Sequence, residues 1–441
     1  MKKFIFSCLL ILLSVIPIVA AEYSLEDLYK LTLERSEKIK ITEEDLYIAE
    51  RVKDKAMSVL MPKLSAIGGY TQYKNSILGD TGTYMQPDEG AMWGVRLDQS
   101  VTLNGREVTA FRITKDGIEK SKYDLFAVKE GYMLNVATAY YGFLKAKKAL
   151  DIAKSNVERL TKHRQAAATR LKVGEVTKTA LLRAEAELSG AQSELIRMTN
   201  SLQLAKVVLA RVVGIEGDFD VKENEKSSDR IAYCQPLTVD CLKDKANAER
   251  AELKSVNIQK RIAEDLVRYA RGAYWPTLSV EGAYTKRQET PETGGLVRES
   301  VYGGLRLNFP FFEGGLRNAE VKEALAKKRQ AELAIGDLKK TIDVDVENAY
   351  LDYVTQRGVL KSLEDQFAFA KDNYHAISRQ FEFGLANSID VMDANTLLVT
   401  AERQLTDAVY NHQQSILKVK RAAGTLLKSV ISSESGVSSD P

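Results

Sequence analysis

Hydrophobic and polar positions along this chain alternate between two periods, and the alternation occurs twice. Over long stretches apolar residues return every three or four positions, as in Leu181, Ala184, Leu188, Ala191 and Leu195. That stripe predicts amphipathic helices that need a partner helix, with Ala allowing close approach. Between such stretches lie segments of period two. Trp93, Val95, Leu97, Val101 and Leu103 alternate with Gly94, Arg96, Asp98, Ser100 and Thr102. Leu278, Val280 and Tyr284 alternate with Thr277, Ser279, Glu281 and Thr285, and Leu305, Leu307, Phe309 and Phe311 with Gly304, Arg306 and Asn308. A less regular segment, Lys63 to Tyr73, puts Leu64, Ala66 and Tyr70 on one face. Each reads as a strand of about ten residues with one apolar and one charged face.

The same order of elements recurs: helix, two strands, long helix, turn, helix. The first helix runs from about Ser24, its N-cap, to Leu60, and Pro62 ends it. The long helices span Arg106 to Val173 and Leu316 to Phe383. At 1.5 Å per residue each would be about 100 Å long. Thr177 and Ser388 are N-caps for the returning helices, which end near Gly214 and Gly424.

This is a tandem repeat. "ERSEKIK" at Glu34 returns as "ERAELKS" at Glu249, "MPKLSAIGGY" at Met61 as "WPTLSVEGAY" at Trp275, and "RVVG" at Arg211 as "RAAG" at Arg421. Gly174 returns as Gly384. The expected organisation is a signal peptide (1–21), a first repeat (22–213, strands about 62–103, turn 173–177), a linker (214–237), a second repeat (238–424, strands about 276–311, turn 383–388) and a tail (425–441). Lys2-Lys3, the apolar run from Phe4 to Val19 and the small residues Val19-Ala20-Ala21 carry the signal-peptide reading. No later apolar run approaches the roughly 18 residues of a membrane helix.

Composition narrows the function. The 441 residues carry a formal net charge of +3, with both signs interspersed and no basic stripe, which excludes nucleic acid as the expected partner. His163, His375 and His412 stand alone in helical sequence, and no catalytic, cofactor-binding or metal-ligand spacing is found, so neither an enzyme nor a cofactor is expected. Cys234 and Cys241 are either a disulfide across a small loop or two unpaired thiols.

Strands of this length and alternation suit a barrel wall between lipid and water, and equally a half-buried soluble sheet. The export signal and the long polar loops, Asn75 to Gly90 and Arg287 to Glu299, favour the barrel. Four strands cannot close a pore-sized barrel, and open edges are not tolerated in lipid, so several copies must share one. The competing reading is a soluble exported coiled-coil scaffold without channel activity.

The segments "GYTQY", "LRLNFPFFEGGLR" and "GLANSIDVMDANTLLVTAERQL" resemble the TolC-type outer-membrane factors, and the resemblance covers essentially the whole mature chain. It implies a mainly α fold with membrane β. Tandem long antiparallel helical hairpins would form a periplasmic tunnel, and four strands per chain would enter a shared 12-stranded barrel of an outer-membrane homotrimer. It further implies passive conduction in a tripartite efflux pump or type I secretion system. The partners would be a periplasmic adaptor, an inner-membrane pump of the RND, ABC or MFS type, and outer-membrane lipid.

The resemblance also assigns residues. The turns, Val173, Gly174, Glu175 and Val176 with Phe383, Gly384, Leu385, Ala386 and Asn387, match the adaptor-docking tips. Asp390 and Asp393 match the aspartates ringing the entrance, where six carboxylates in a trimer would favour cations. An Asp in the first turn of a helix is also favoured by the macrodipole, without a pore. The sequence departs from the family at Ala180, Arg183, Ala386 and Phe381, so Lys178 or Arg183 is expected to pair with these aspartates instead.

Overall fold

The computed structural model describes residues 21–223, 231 and 234–435. The signal-peptide reading therefore lies outside the described residues except for Ala21, as do parts of the expected linker and tail. The elements in chain order are β1 (Ala21–Tyr23), α1 (Leu25–Arg35), α2 (Glu37–Val59), β2 (Lys63–Gln72), β3 (Ile77–Leu78), β4 (Tyr84–Gln86), β5 (Glu89–Thr102), α3 (Arg106–Lys172), α4 (Lys178–Val213), β6 (Phe219–Val221), α5 (Val239–Glu249), α6 (Ala251–Gly272), β7 (Thr277–Thr290), β8 (Glu299–Asn308), α7 (Leu316–Glu382), α8 (Ser388–Ala422) and α9 (Leu426–Ser435). The two long helices, α3 and α7, have 67 residues each. The chain divides into two compact units, and α3, α7 and α8 contribute to both.

One unit holds residues through Ser36, 133–230 and 353–417. Here α3, α4, α7 and α8 bury small residues, among them Ala167, Ala184, Ala191, Ala370, Ala401 and Ala408, as expected where helix backbones approach closely. Larger side chains gather around Tyr140, Phe143 and Leu209. β1 pairs parallel with β6, from Ala21 opposite Phe219 to Tyr23 opposite Val221. The buried Tyr140 donates its hydroxyl proton to the Lys222 carbonyl (2.8 Å), fixing the chain that follows β6.

The other unit holds residues 37–132, 231–352 and 418 onward. Its centre is an antiparallel sheet of order β2-β5-β7-β8. Val95 stands opposite Ala66 and Tyr284, and Val280 opposite Gln99 and Leu305, so the apolar positions of all four strands share one face. That face is bare: Leu64, Val301 and Leu305 are 72%, 78% and 75% exposed. Trp93 and Tyr284 pack edge-on across it, with centroids 5.8 Å apart. The opposite face carries charge. Glu281 accepts from Arg96 (3.5 Å) and Arg306 (3.2 Å), and Ser100 meets Ser279 at 2.8 Å. β2 and β8 are unpaired edges of this sheet among the described residues.

The structure corrects several expectations. β8 ends at Asn308, so Phe309 and Phe311 lie beyond the strand that was to carry them. Pro310, which has no N–H, cannot extend the ladder. The first helix of each repeat is also not continuous. α1 stops at Ser36 and α5 at Arg250, both with extended ψ near 120°. At each break the glycine of the repeated R-x-x-G motif packs closely. A Cβ on Gly214 would stand 3.2 Å from Arg35 Cβ, and one on Gly424 would stand 2.9 Å from the Arg250 backbone nitrogen. Ser24 is the expected N-cap, in a reciprocal box with Asp27. Cys234 and Cys241 form a disulfide.

Within the expected tail, Leu426–Ser435 form α9. The carboxylate of Glu130, fully buried on α3, accepts from the Leu426 amide (2.9 Å) at the start of this helix. Desolvation raises that carboxyl above the ordinary range, against the pull of Arg421. Lys428 on α9 holds Glu249, with Lys245 and Lys254 adding to it, and the Glu249 carboxyl falls to about 2.

Candidate functional site

The expected site residues all sit where α3 turns into α4 and α7 into α8. At the first turn the Gly174 amide donates to the Leu171 carbonyl (3.1 Å) and the Glu175 amide to Arg170 (2.9 Å). At the second, Gly384 donates to Phe381 (3.0 Å) and Leu385 to Gln380 (2.8 Å). This reach-back needs one left-handed residue. Gly174 at φ 80° and Gly384 at φ 74° supply it.

The following helices start differently. Thr177 caps α4, its hydroxyl accepting from the Ala180 amide (3.3 Å). Ser388 was expected to cap α8, and it does not. Asn387 takes that position, its carboxamide oxygen accepting from the amides of Ile389 (2.7 Å) and Asp390 (3.0 Å). Asp390 returns the bond by accepting from the Asn387 amide (3.0 Å). Its carboxylate is therefore engaged in a capping box, one residue earlier than the sequence suggested. Asp393, one turn on, is 72% exposed on its side chain. Of the two cations expected to pair with these aspartates, Arg183 comes within 3.9 Å of Asp393. Lys178 is exposed and makes no ion pair among the described residues.

Two residues that sequence reasoning passed over join the turns. The Arg170 guanidinium donates to the Glu382 carbonyl (2.9 Å), lies 4.3 Å from the Phe381 ring centroid and stands 3.9 Å from the Glu175 carboxylate. His163 Nε2 meets Ser388 Oγ at 2.8 Å, and its ring lies 5.0 Å from that of Phe381. His163, Phe381 and Ser388 are all buried. Burial, and after it the Arg170 charge, pushes the His163 imidazole below its ordinary value, so the ring is neutral at neutral pH. A periodicity signal existed in the sequence: His163 and Arg170 are seven positions apart, hence on one helix face. Their partners lie 225 and 212 residues away, where no local pattern points.

Between the turns lies a groove of about 920 Å³, bordered by Arg170, Glu175, Val176, Arg183, Phe381 and Asp390. Phe383 and Leu385 on its border are each 79% exposed, and Val173 at the first turn is 67% exposed, so the turns present an apolar rim. Gly384 and Asn387 are exposed beside them, and Ala386 is half-buried. The arrangement offers hydrophobic contact flanked by both signs of charge.

The sequence model of a family described as outer membrane efflux protein matches residues 28–215 and, a second time, 242–425. Among curated proteins, the outer membrane protein TolC of Vibrio cholerae is 24% identical over 310 residues, covering 68% of this chain and 69% of that protein. The outer membrane protein TolC of Escherichia coli is 22% identical over 386 residues, covering 85% and 76%. Among solved structures, the CmeC outer membrane channel of Campylobacter jejuni superposes with a TM-score of 0.78 at 18% identity, covering 93% of this chain and 89% of that one.

Proposed function

The chain belongs to the outer membrane efflux protein family, and we propose that it is the exit duct of a tripartite efflux pump or type I secretion system. It is an outer-membrane protein with the channel-tunnel fold of its relatives: tandem long helical hairpins and strands for a barrel wall. The observation that carries the reading is the four-stranded sheet. One face is apolar and bare, the other is a ladder of charge, and both edges are unpaired among the described residues. In lipid those edges must find strands, and two further copies would supply them in a 12-stranded barrel. The two repeats, 22–213 and 238–424, then each contribute two strands and a tunnel hairpin, with 214–237 as a belt between them.

In this homotrimer the hairpin turns form the inner end of the tunnel. The exposed apolar rim of Val173, Phe383 and Leu385 is the surface on which a periplasmic adaptor docks, linking the duct to an inner-membrane pump. Asp393, exposed and one turn into α8, supplies most of the cation-favouring charge at the entrance. Asp390 contributes less, because its carboxylate is held in the cap. Conduction is passive, and the partner pump supplies the energy.

Planar-bilayer recording of the detergent-extracted protein tests this. Discrete cation-selective channels are expected, with selectivity falling in Asp393→Ala and falling less in Asp390→Ala. A protein that extracts without detergent and forms no channels would replace this reading with the soluble scaffold.

A further inference from the structure

We propose that His163 and Arg170, near the end of α3, form an acid-released latch that holds the second hairpin turn against the first and sets how readily the entrance opens. The proposal rests on the channel reading above. The latch has three contacts: His163 Nε2 with Ser388 Oγ at 2.8 Å, Arg170 donating to the Glu382 carbonyl at 2.9 Å, and the Phe381 ring set against both cationic-capable side chains at 5.0 Å and 4.3 Å. Phe381 and Glu382 end α7, and Ser388 begins α8. The second turn cannot move away from α3 without breaking all three.

The surroundings of His163 make the latch sensitive to protons. From its own helix it faces Arg159 and Arg170. From α7 it faces the Phe381 ring and the Tyr374 phenol beneath Arg159, while Glu382, whose side chain is exposed, gives its carbonyl to Arg170. From α8 it faces Ser388 and Asn395, the latter bonded to Arg159 (3.0 Å) and Asn156 (2.8 Å). The nearby carboxylates have other partners. Asp390 is in its capping box, Asp393 faces Arg183, and Glu175 lies against Arg170. Among the described residues no carboxylate pairs with His163. A proton on this ring, which is itself buried, would put a second cation near Arg170 with no carboxylate of its own to pair with.

The direction of the pH effect follows. The closed latch holds the His163 pKa below its ordinary value, and release returns it to that value of about 6.5. Protons therefore bind the released form preferentially. The closed form has its full advantage above about pH 6.5 and loses it as pH falls below.

The test records the full-length protein in planar bilayers at about pH 7.5 and about pH 5.5, on either side of the ordinary histidine value. Open probability of the unmodified protein is expected to rise roughly fivefold to tenfold at the lower pH, the scale of one buried hydrogen bond. Arg170→Ala should be more open at both values, and His163→Gln should lose the pH dependence. A second readout does not need a channel. Met392, buried and sharing a small cavity with His163, is replaced by Cys, and its thiol-labelling rate is divided at each pH by that of Leu385→Cys on the exposed rim. Cys234 and Cys241 are bonded to each other, and Cys8, within the expected signal peptide, is replaced by Ser in every variant. The ratio should rise at low pH, and stay flat when His163→Gln is added. Flat ratios in the otherwise unmodified protein, or pH dependence that survives His163→Gln, would overturn the latch. Ratios that behave as expected while no variant forms channels would keep the latch and remove the channel reading.

Discussion

At the first hairpin turn, α4 starts on Thr177, whose hydroxyl receives one amide. At the second, α8 starts on Asn387, whose carboxamide receives two and whose own amide goes to Asp390. The backbones otherwise match, with the same glycine conformation and the same reach-back from residues 175 and 385 to residues 170 and 380. Yet residue 170 is an arginine that grips the other turn, while residue 380 is an exposed glutamine. Duplication has kept the turn, because a helix reversing in this way needs a left-handed residue whatever surrounds it. It has not kept the roles. Arg170 and His163 reach out from the first hairpin, and the second hairpin supplies the carbonyl, ring and hydroxyl that receive them.

Substitutions that act on only one turn test this asymmetry. Arg170→Ala should have the largest effect, about 1.5–3 kcal/mol from a lost charged hydrogen bond, whereas Gln380→Ala should stay within about 0.5 kcal/mol. Chemical denaturation of the two variants in detergent measures the difference, and equal losses would mean that the turns are interchangeable. Next in size are Gly174→Val and Gly384→Val. A Cβ at either glycine meets nothing within 4 Å, so each should lose only the backbone term, about 1–2 kcal/mol. Here the two turns should agree, and a thermal shift much larger at one would reveal a steric role. Asn387→Ala should cost about 1–2 kcal/mol and Thr177→Ala nearer 0.5 kcal/mol, since only the first breaks a reciprocal box. Smallest is Arg183→Ala. At 3.9 Å and largely exposed, its pair with Asp393 should contribute less than about 1 kcal/mol and should weaken further with added salt. Removing Arg183 should instead sharpen cation selectivity, by leaving Asp393 without its neighbour.

What was legible in the sequence was local. Gly174 and Gly384 announced the turns, Ser24 and Thr177 the caps, and strict alternation put Val95, Tyr284 and Leu305 each on the apolar face of its own strand before any pairing was known. What was missed depends on distant partners. α1 and α5 end where the backbone meets Gly214 and Gly424, a contact invisible to helix propensity at Ser36 or Arg250. Ser388 reads as an ideal cap, and it lost the position because Asn387 caps from one residue earlier while the Ser388 hydroxyl bonds to His163. Three isolated histidines gave no reason to choose among them, and it is burial and the bond to Ser388, 225 residues away, that distinguish His163.

The buried carboxylate of Glu130 also bears on the order of assembly. Its partners, the Leu426 amide and the Arg421 side chain, lie within the last stretch of the described chain, whereas the sheet of the same unit begins at Lys63. A polypeptide delivered N-terminus first carries an unmatched carboxylate along α3 until that stretch arrives. The unit cannot close until residues 421–426 arrive, long after its strands have been delivered. Chains cut short before Arg421 should remain open to proteases however well their strands pair.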